Sequence, residues 1–153
     1  MRNLKLVLLL TIALTTIVSC SKNDDKTPTF QELIVENSPW KFDGVALSNI
    51  INNSTEEFDK DKYELKIRLT NENTYYVFKA DGTGEVIDDN VGQDIDWKIV
   101  NENQLSLTVK SNQLNAVFIN LNVTETQLEF LTKNMKVATE VKADVKYLLS
   151  KSK

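Results

Sequence analysis

The chain has 153 residues, 41% of them hydrophobic and 26% charged, which suits one ordinary globular domain. Its 22 acidic residues outnumber 18 basic ones, for a net charge of -4; nucleic-acid binding and electrostatic docking on anionic lipid both need clustered Lys and Arg, so both are disfavoured. There is no histidine, which removes the commonest general base and the commonest zinc ligand. The single cysteine rules out an intramolecular disulfide, so the hydrophobic core must hold the fold alone.

In chain order, Arg2 and Lys5 supply a positive start, and Leu6 to Val18 form an uncharged apolar run. A spanning helix needs about 20 mostly apolar residues, so this run is short for a span and suits a signal segment. Ile17-Val18-Ser19-Cys20 follows. It resembles a lipobox, in which a small residue precedes a cysteine whose thiol takes a diacylglycerol. The expected organisation is a signal peptide over 1–19, a lipidated N-terminus and flexible tether over 20–37, and a folded domain over 38–153. Palmitate-type acyl chains on Cys20 bury methylenes at about 0.8 kcal/mol each, so the membrane anchor is expected to be stable. Without Arg2 and Lys5, 16 basic residues face 22 acidic ones, for a net charge of -6. No aspartate directly follows Cys20. Lys22 with Asp24 and Asp25 resembles the surface-export signal of Bacteroidota lipoproteins. The expected location is the outer membrane, at the cell surface or otherwise on its periplasmic face.

Pro28 breaks any regular element in the tether, with a short helical turn expected at Phe30–Val35. Period-2 alternation then predicts strands. Trp40 to Leu47 is the first, and Thr74–Phe78 the next. Asp81-Gly82 marks a tight hairpin leading back through Thr83–Ile87. Ile95, Trp97 and Ile99 alternate with Asp94, Asp96 and Lys98. Asn101-Glu102-Asn103 turns the chain into Leu105–Val109. Val117–Val123 and Gln127–Thr132 follow, joined near Glu125. Met135, Val137, Val141, Ala143, Val145, Tyr147 and Leu149 share one parity and read as one long strand. Between Ser48 and Asn73, Ser54-Thr-Glu-Glu57 has capping-box form, which points to a helix over one barrel mouth. The alternation of Tyr63, Leu65, Ile67 and Leu69 offers a strand instead.

The reading is all-β and mainly antiparallel. Eight half-apolar strands in hairpin order close into an up-and-down barrel that leaves no open edge, with a short helix between the first two strands. A two-sheet sandwich is the competitor. Three segments now resemble the lipocalin-like lipoproteins of Bacteroidota: Ser38-Pro-Trp40-Lys-Phe42, Tyr76-Val-Phe78-Lys-Ala-Asp81-Gly-Thr83-Gly84, and Trp97-Lys-Ile99 with Asn103-Gln-Leu105-Ser-Leu107. The resemblance covers 38–133 and implies a small-molecule-binding or interaction barrel.

Trp40, Tyr76, Phe78 and Trp97 are the candidate ligand-lining residues; plain core packing is the alternative, since aromatics bury large areas in any domain. Asp88, Asp89, Asn90, Asp94 and Asp96 gather oxygens around one hairpin, but lack the spacing of an EF-hand loop and read as a solvated turn. No carboxylate pair stands out for glycosidase chemistry, and no histidine exists to activate a serine. The expected protein is not an enzyme and uses no cofactor or metal. Its expected partners are the membrane, through lipid on Cys20, and a small apolar or amphipathic ligand. The alternative is a filled barrel acting as an interaction or inhibitor protein of an outer-membrane complex.

Overall fold

The computed structural model describes residues 27–153, so the expected signal segment and Cys20 lie outside the described residues. Eight antiparallel strands follow one another around a closed barrel. They are β1 (Trp40–Asn52), β2 (Tyr75–Phe78), β3 (Thr83–Asp88), β4 (Val91–Asn101), β5 (Gln104–Val109), β6 (Leu114–Val123), β7 (Gln127–Ala138) and β8 (Val141–Lys151). β1 returns onto β8, from Trp40↔Lys151 to Asn52↔Val141. The fold is the expected up-and-down barrel of lipocalin-like form, not the sandwich. Among the described residues two helices accompany it: α1 (Phe30–Glu36) precedes β1, and α2 (Lys60–Thr70) joins β1 to β2. No described helix is long and apolar enough to cross a membrane.

The meander gives the barrel two unlike ends. α1 plugs one of them. Thr29 and Glu32 form a reciprocal capping box at its start, which satisfies two backbone donors that would otherwise lack partners. Ile34 is fully buried, and its carbonyl accepts the Trp40 indole N–H at 2.8 Å. The C-terminus meets the same end: Lys151 donates to the Asn37 side-chain oxygen at 2.8 Å, and the Ser152 N–H donates to the Pro39 carbonyl at 3.0 Å. Residues 30–36, expected within a flexible tether, are thus built into the core.

At the other end the wall is incomplete. β1 pairs with β2 only at Trp40↔Tyr76 and Lys41↔Tyr75. Beyond that point α2 lies along β1, and Glu64 accepts the Leu47 backbone N–H at 2.6 Å. A backbone donor at a strand edge is thereby satisfied by a helix side chain. α2 packs Tyr63 and Ile67 against the core, while Leu65 and Leu69 are 54% and 58% exposed. The helix is present as expected, but it starts later than the capping-box reading placed it. Asp59 is its N-cap, with a carboxylate that accepts the Lys62 N–H at 3.0 Å, whereas Ser54 is occupied in a turn with Asn52.

Register shifts occur in β1, β4, β6 and β7, and three of them are alike: β1 between Ser48 and Ile51, β6 between Ile119 and Asn122, and β7 between Thr132 and Met135. Each holds an asparagine in the left-handed region, Asn49, Asn120 and Asn134, at φ 48°, 51° and 51°, a conformation asparagine tolerates better than most residues. Asp144 on β8 ties two of these bulges together. Its carboxylate accepts from the Asn49 side-chain amide at 2.8 Å and from the Asn134 backbone N–H at 3.0 Å. These two bonds hold the carboxyl below the usual range, the Asn49 bond most of all. The single long strand expected from Met135 to Leu149 is a hairpin. Thr139 and Glu140 turn the chain between β7 and β8, with Glu140 at φ 60°. Both arms keep the same parity, since Met135 pairs with Ala143, so alternation alone could not reveal the break.

Trp40→Phe keeps an aromatic ring but removes the indole N–H donor and part of the buried volume, leaving the Ile34 carbonyl without that partner. It is expected to cost about 1–3 kcal/mol in urea unfolding. An unchanged midpoint would mean that this bond does not hold α1 in place.

Candidate functional site

The strand pairings fix which side chains face the barrel interior. On β2 these are Thr74 (just before the strand), Tyr76 and Phe78. Tyr76 lies across from Val86 on β3, and Asp88 follows on the same face. On β4 the inward register holds Val91, Gln93, Ile95, Trp97 and Ile99; on β5, Leu105, Leu107 and Val109. On β6 it holds Leu114, Ala116 and Phe118 before the bulge, and Leu121 and Val123 after it. β7 and β8 contribute Leu128, Phe130 and Thr132, and Val145, Tyr147 and Leu149, paired across.

Burial divides this inner face into two halves. Toward α1 it is packed solid. Trp40, Phe78 and Trp97 are 0%, 2% and 4% exposed and belong to one continuous core cluster. The Phe78 and Trp97 rings meet edge to face at 5.1 Å. The Trp97 indole N–H is shared between the Lys79 and Thr83 carbonyls, at 3.1 and 2.9 Å, which fastens the expected Asp81-Gly82 hairpin. There the Asp81 carboxylate accepts from both the hydroxyl and the backbone N–H of Thr83, which lowers its pKa.

Further along the axis, four aromatic rings from opposite walls converge. Phe118 and Phe130 lie 4.4 Å apart, Phe130 and Tyr147 5.3 Å, Phe118 and Tyr147 6.1 Å, and Tyr76 reaches Phe130 edge-on at 6.4 Å. Phe130 is buried and forms the floor, while Phe118, Tyr76 and Tyr147 remain only partly covered. Beyond them the inward register ends at an exposed rim, where Val91 is 66% and Leu114 62% exposed. A cavity of about 580 Å³ opens at this end between α2 and the β7–β8 hairpin, lined by Phe58, Tyr63, Ala138 and Val141 together with Glu56, Glu57, Asp59, Lys62 and Glu140.

Of the four residues singled out in the sequence, three therefore sit in the packed half. Only Tyr76 borders the aromatic cluster at the open half, where Phe118, Phe130 and Tyr147 join it. Sequence reasoning passed over Phe118 because Val117 and Ile119 look like an inward face. The Asn120 bulge shifts the parity, leaving Val117 51% exposed and bringing Leu121 and Val123 inward.

Two phenols supply the polar character of the cluster. Burial raises the pKa of Tyr76 well above the tyrosine range, and Tyr147 and the Asp88 charge add to that. Burial also raises Tyr147, whose hydroxyl donates to the Met135 Sδ at 3.3 Å. Asp88 accepts from the Thr74 hydroxyl at 2.9 Å, and Asp89 from the Asn73 amide at 2.9 Å. Asp96 pairs with Lys110 at 3.1 Å. Among the described residues, no group of three or more acidic or cysteine side chains is placed to hold a metal ion.

No protein family, curated protein or solved structure matches this chain at a significant level. What the barrel does is therefore read from its own geometry.

The tyrosine shifts make a pH prediction. A group whose pKa is higher in the fold than in the unfolded chain stabilises the fold fully below the unfolded value, about 10 for tyrosine, and that contribution is lost as pH rises above it. The unfolding free energy is expected to fall between pH 9 and pH 12, and to fall less in Tyr76→Phe. Equal alkaline slopes for both proteins in chemical denaturation would show that the Tyr76 phenol is not desolvated.

Proposed function

We propose that the chain is a lipid-anchored, non-enzymatic binding protein that takes a small apolar or amphipathic molecule into the open end of its barrel. One observation carries the reading: on β5 and β6 the inward face stays apolar up to a rim left open to water. Leu114, Ala116 and Phe118 on β6 pass from exposed to partly buried toward Phe130. A barrel selected only for stability gains nothing from exposed inward-facing Val91 and Leu114. A ligand that covers roughly 100 Å² of such surface gains about 2.5 kcal/mol from burial alone.

The anchor reading rests on Ser19-Cys20 and the apolar run before it. α1 starts only ten residues beyond Cys20 and sits at the plugged end. A lipid on Cys20 would therefore hold that end toward the membrane and turn the open mouth outward.

The second reading, a filled barrel serving as an interaction protein, draws on the solid packing around Trp40, Phe78 and Trp97. Titration with N-phenyl-1-naphthylamine separates the two. The binding reading expects a saturable rise in fluorescence, lost in Ala116→Phe, which fills the inner face, and kept in Val117→Asp on the outside, with both variants folded by circular dichroism. No saturable rise would favour the interaction reading. For the anchor, Cys20→Ala is expected to move the protein out of the detergent phase; unchanged partitioning would contradict lipidation.

A further inference from the structure

The charges around the open half say more about what can enter it. Of the lysines and arginines on the eight strands, only Lys151 falls on the inward register, beside Trp40 at the plugged end, and it is held there by Asn37. Lys41, Lys98, Lys136, Lys142 and Lys146 lie on the outward register, and Lys133 is exposed within the β7 bulge. Among the strand residues, the one charge on the inward register of the open half is Asp88, itself exposed at the rim and diagonal to Tyr76 across the β2–β3 ladder. The mouth cavity is acidic as well, with Lys62 facing Glu56, Glu57, Asp59 and Glu140.

The polar groups deeper inside are neutral donors. Tyr76 is surrounded by the rings of Phe78 and Phe130, and no hydrogen bond of its hydroxyl is made among the described residues. Tyr147 gives its proton to a thioether, a weak acceptor that a better one can displace. A carboxylate entering here would lose its hydration with no cation to meet it and with Asp88 close by, the arrangement that makes a buried charge costly. A hydroxyl, ketone or ester oxygen carries no such cost, and it accepts from either phenol.

We propose that the open half of the barrel, where the inward-facing Tyr76, Phe118 and Tyr147 are only partly covered, takes uncharged amphiphiles bearing a hydrogen-bond acceptor, such as long-chain alcohols, ketones or esters, in preference to fatty-acid anions. The acceptor lies against the Tyr76 and Tyr147 hydroxyls, and the chain runs past Phe118 toward Leu114 and Val91. This inference rests on the binding reading above.

The test is displacement of bound N-phenyl-1-naphthylamine from the full chain at pH 8 by decan-1-ol and decanoate. Decanol is expected to bind about tenfold more tightly than decanoate, the equivalent of 1.4 kcal/mol. Tyr76→Phe is expected to weaken decanol about fivefold, in keeping with the loss of one hydrogen bond, and Asp88→Asn to narrow the gap between alcohol and carboxylate. Decanoate binding as tightly as decanol would overturn the selectivity while leaving the binding reading intact. A probe that does not bind at all would overturn both.

Discussion

The barrel depends on one long-range closure, the return of β1 onto β8. It joins residues about a hundred positions apart, and no hairpin enforces it. Without it, the sheet would expose two edges and half the core. Asp144 stands opposite the irregular stretches of both neighbouring strands. With one carboxylate it holds the Asn49 bulge of β1 and the Asn134 bulge of β7. These are charge-assisted bonds, stronger than neutral ones, at the position where bulges would otherwise let the register slip.

Closure sets the two ends apart. At one, α1, Trp40 and the C-terminal Lys151 and Ser152 lock together, and large side chains fill the axis. At the other, β1 and β2 part company, and α2 covers the gap with Tyr63, Ile67 and the Glu64 carboxylate. The wall there is half strand and half helix. The least buried inward-facing aromatics and the exposed apolar rim lie at that same end.

The barrel was legible because hydrophobic alternation is a direct projection of the inner face. Trp40, Phe42, Ile95, Trp97, Leu105 and Leu107 all point where their spacing says. The failures share a cause. Wherever an asparagine takes the left-handed conformation inside a strand, parity changes without a change in composition. Asn120 hid Phe118 in this way. The β7–β8 turn was invisible for the opposite reason: Thr139-Glu140 carries no turn signature, and parity survives it. In α2, Tyr63, Leu65, Ile67 and Leu69 alternate like a strand, yet only Tyr63 and Ile67, four apart, face the core. The aromatic cluster was half legible. Tyr76 was picked out, but its partners Phe118, Phe130 and Tyr147 come from strands more than 40 residues away, and only closure brings them together.

The central proposal is that the open end of this barrel takes up an apolar ligand, where the other end is packed core. Native mass spectrometry of the protein, purified from its own host without denaturation, tests it most directly. The account predicts a noncovalent adduct of a few hundred daltons, released on collisional activation and missing from Ala116→Phe. Protein that carries only its covalent modifications, identical in both forms, would contradict it.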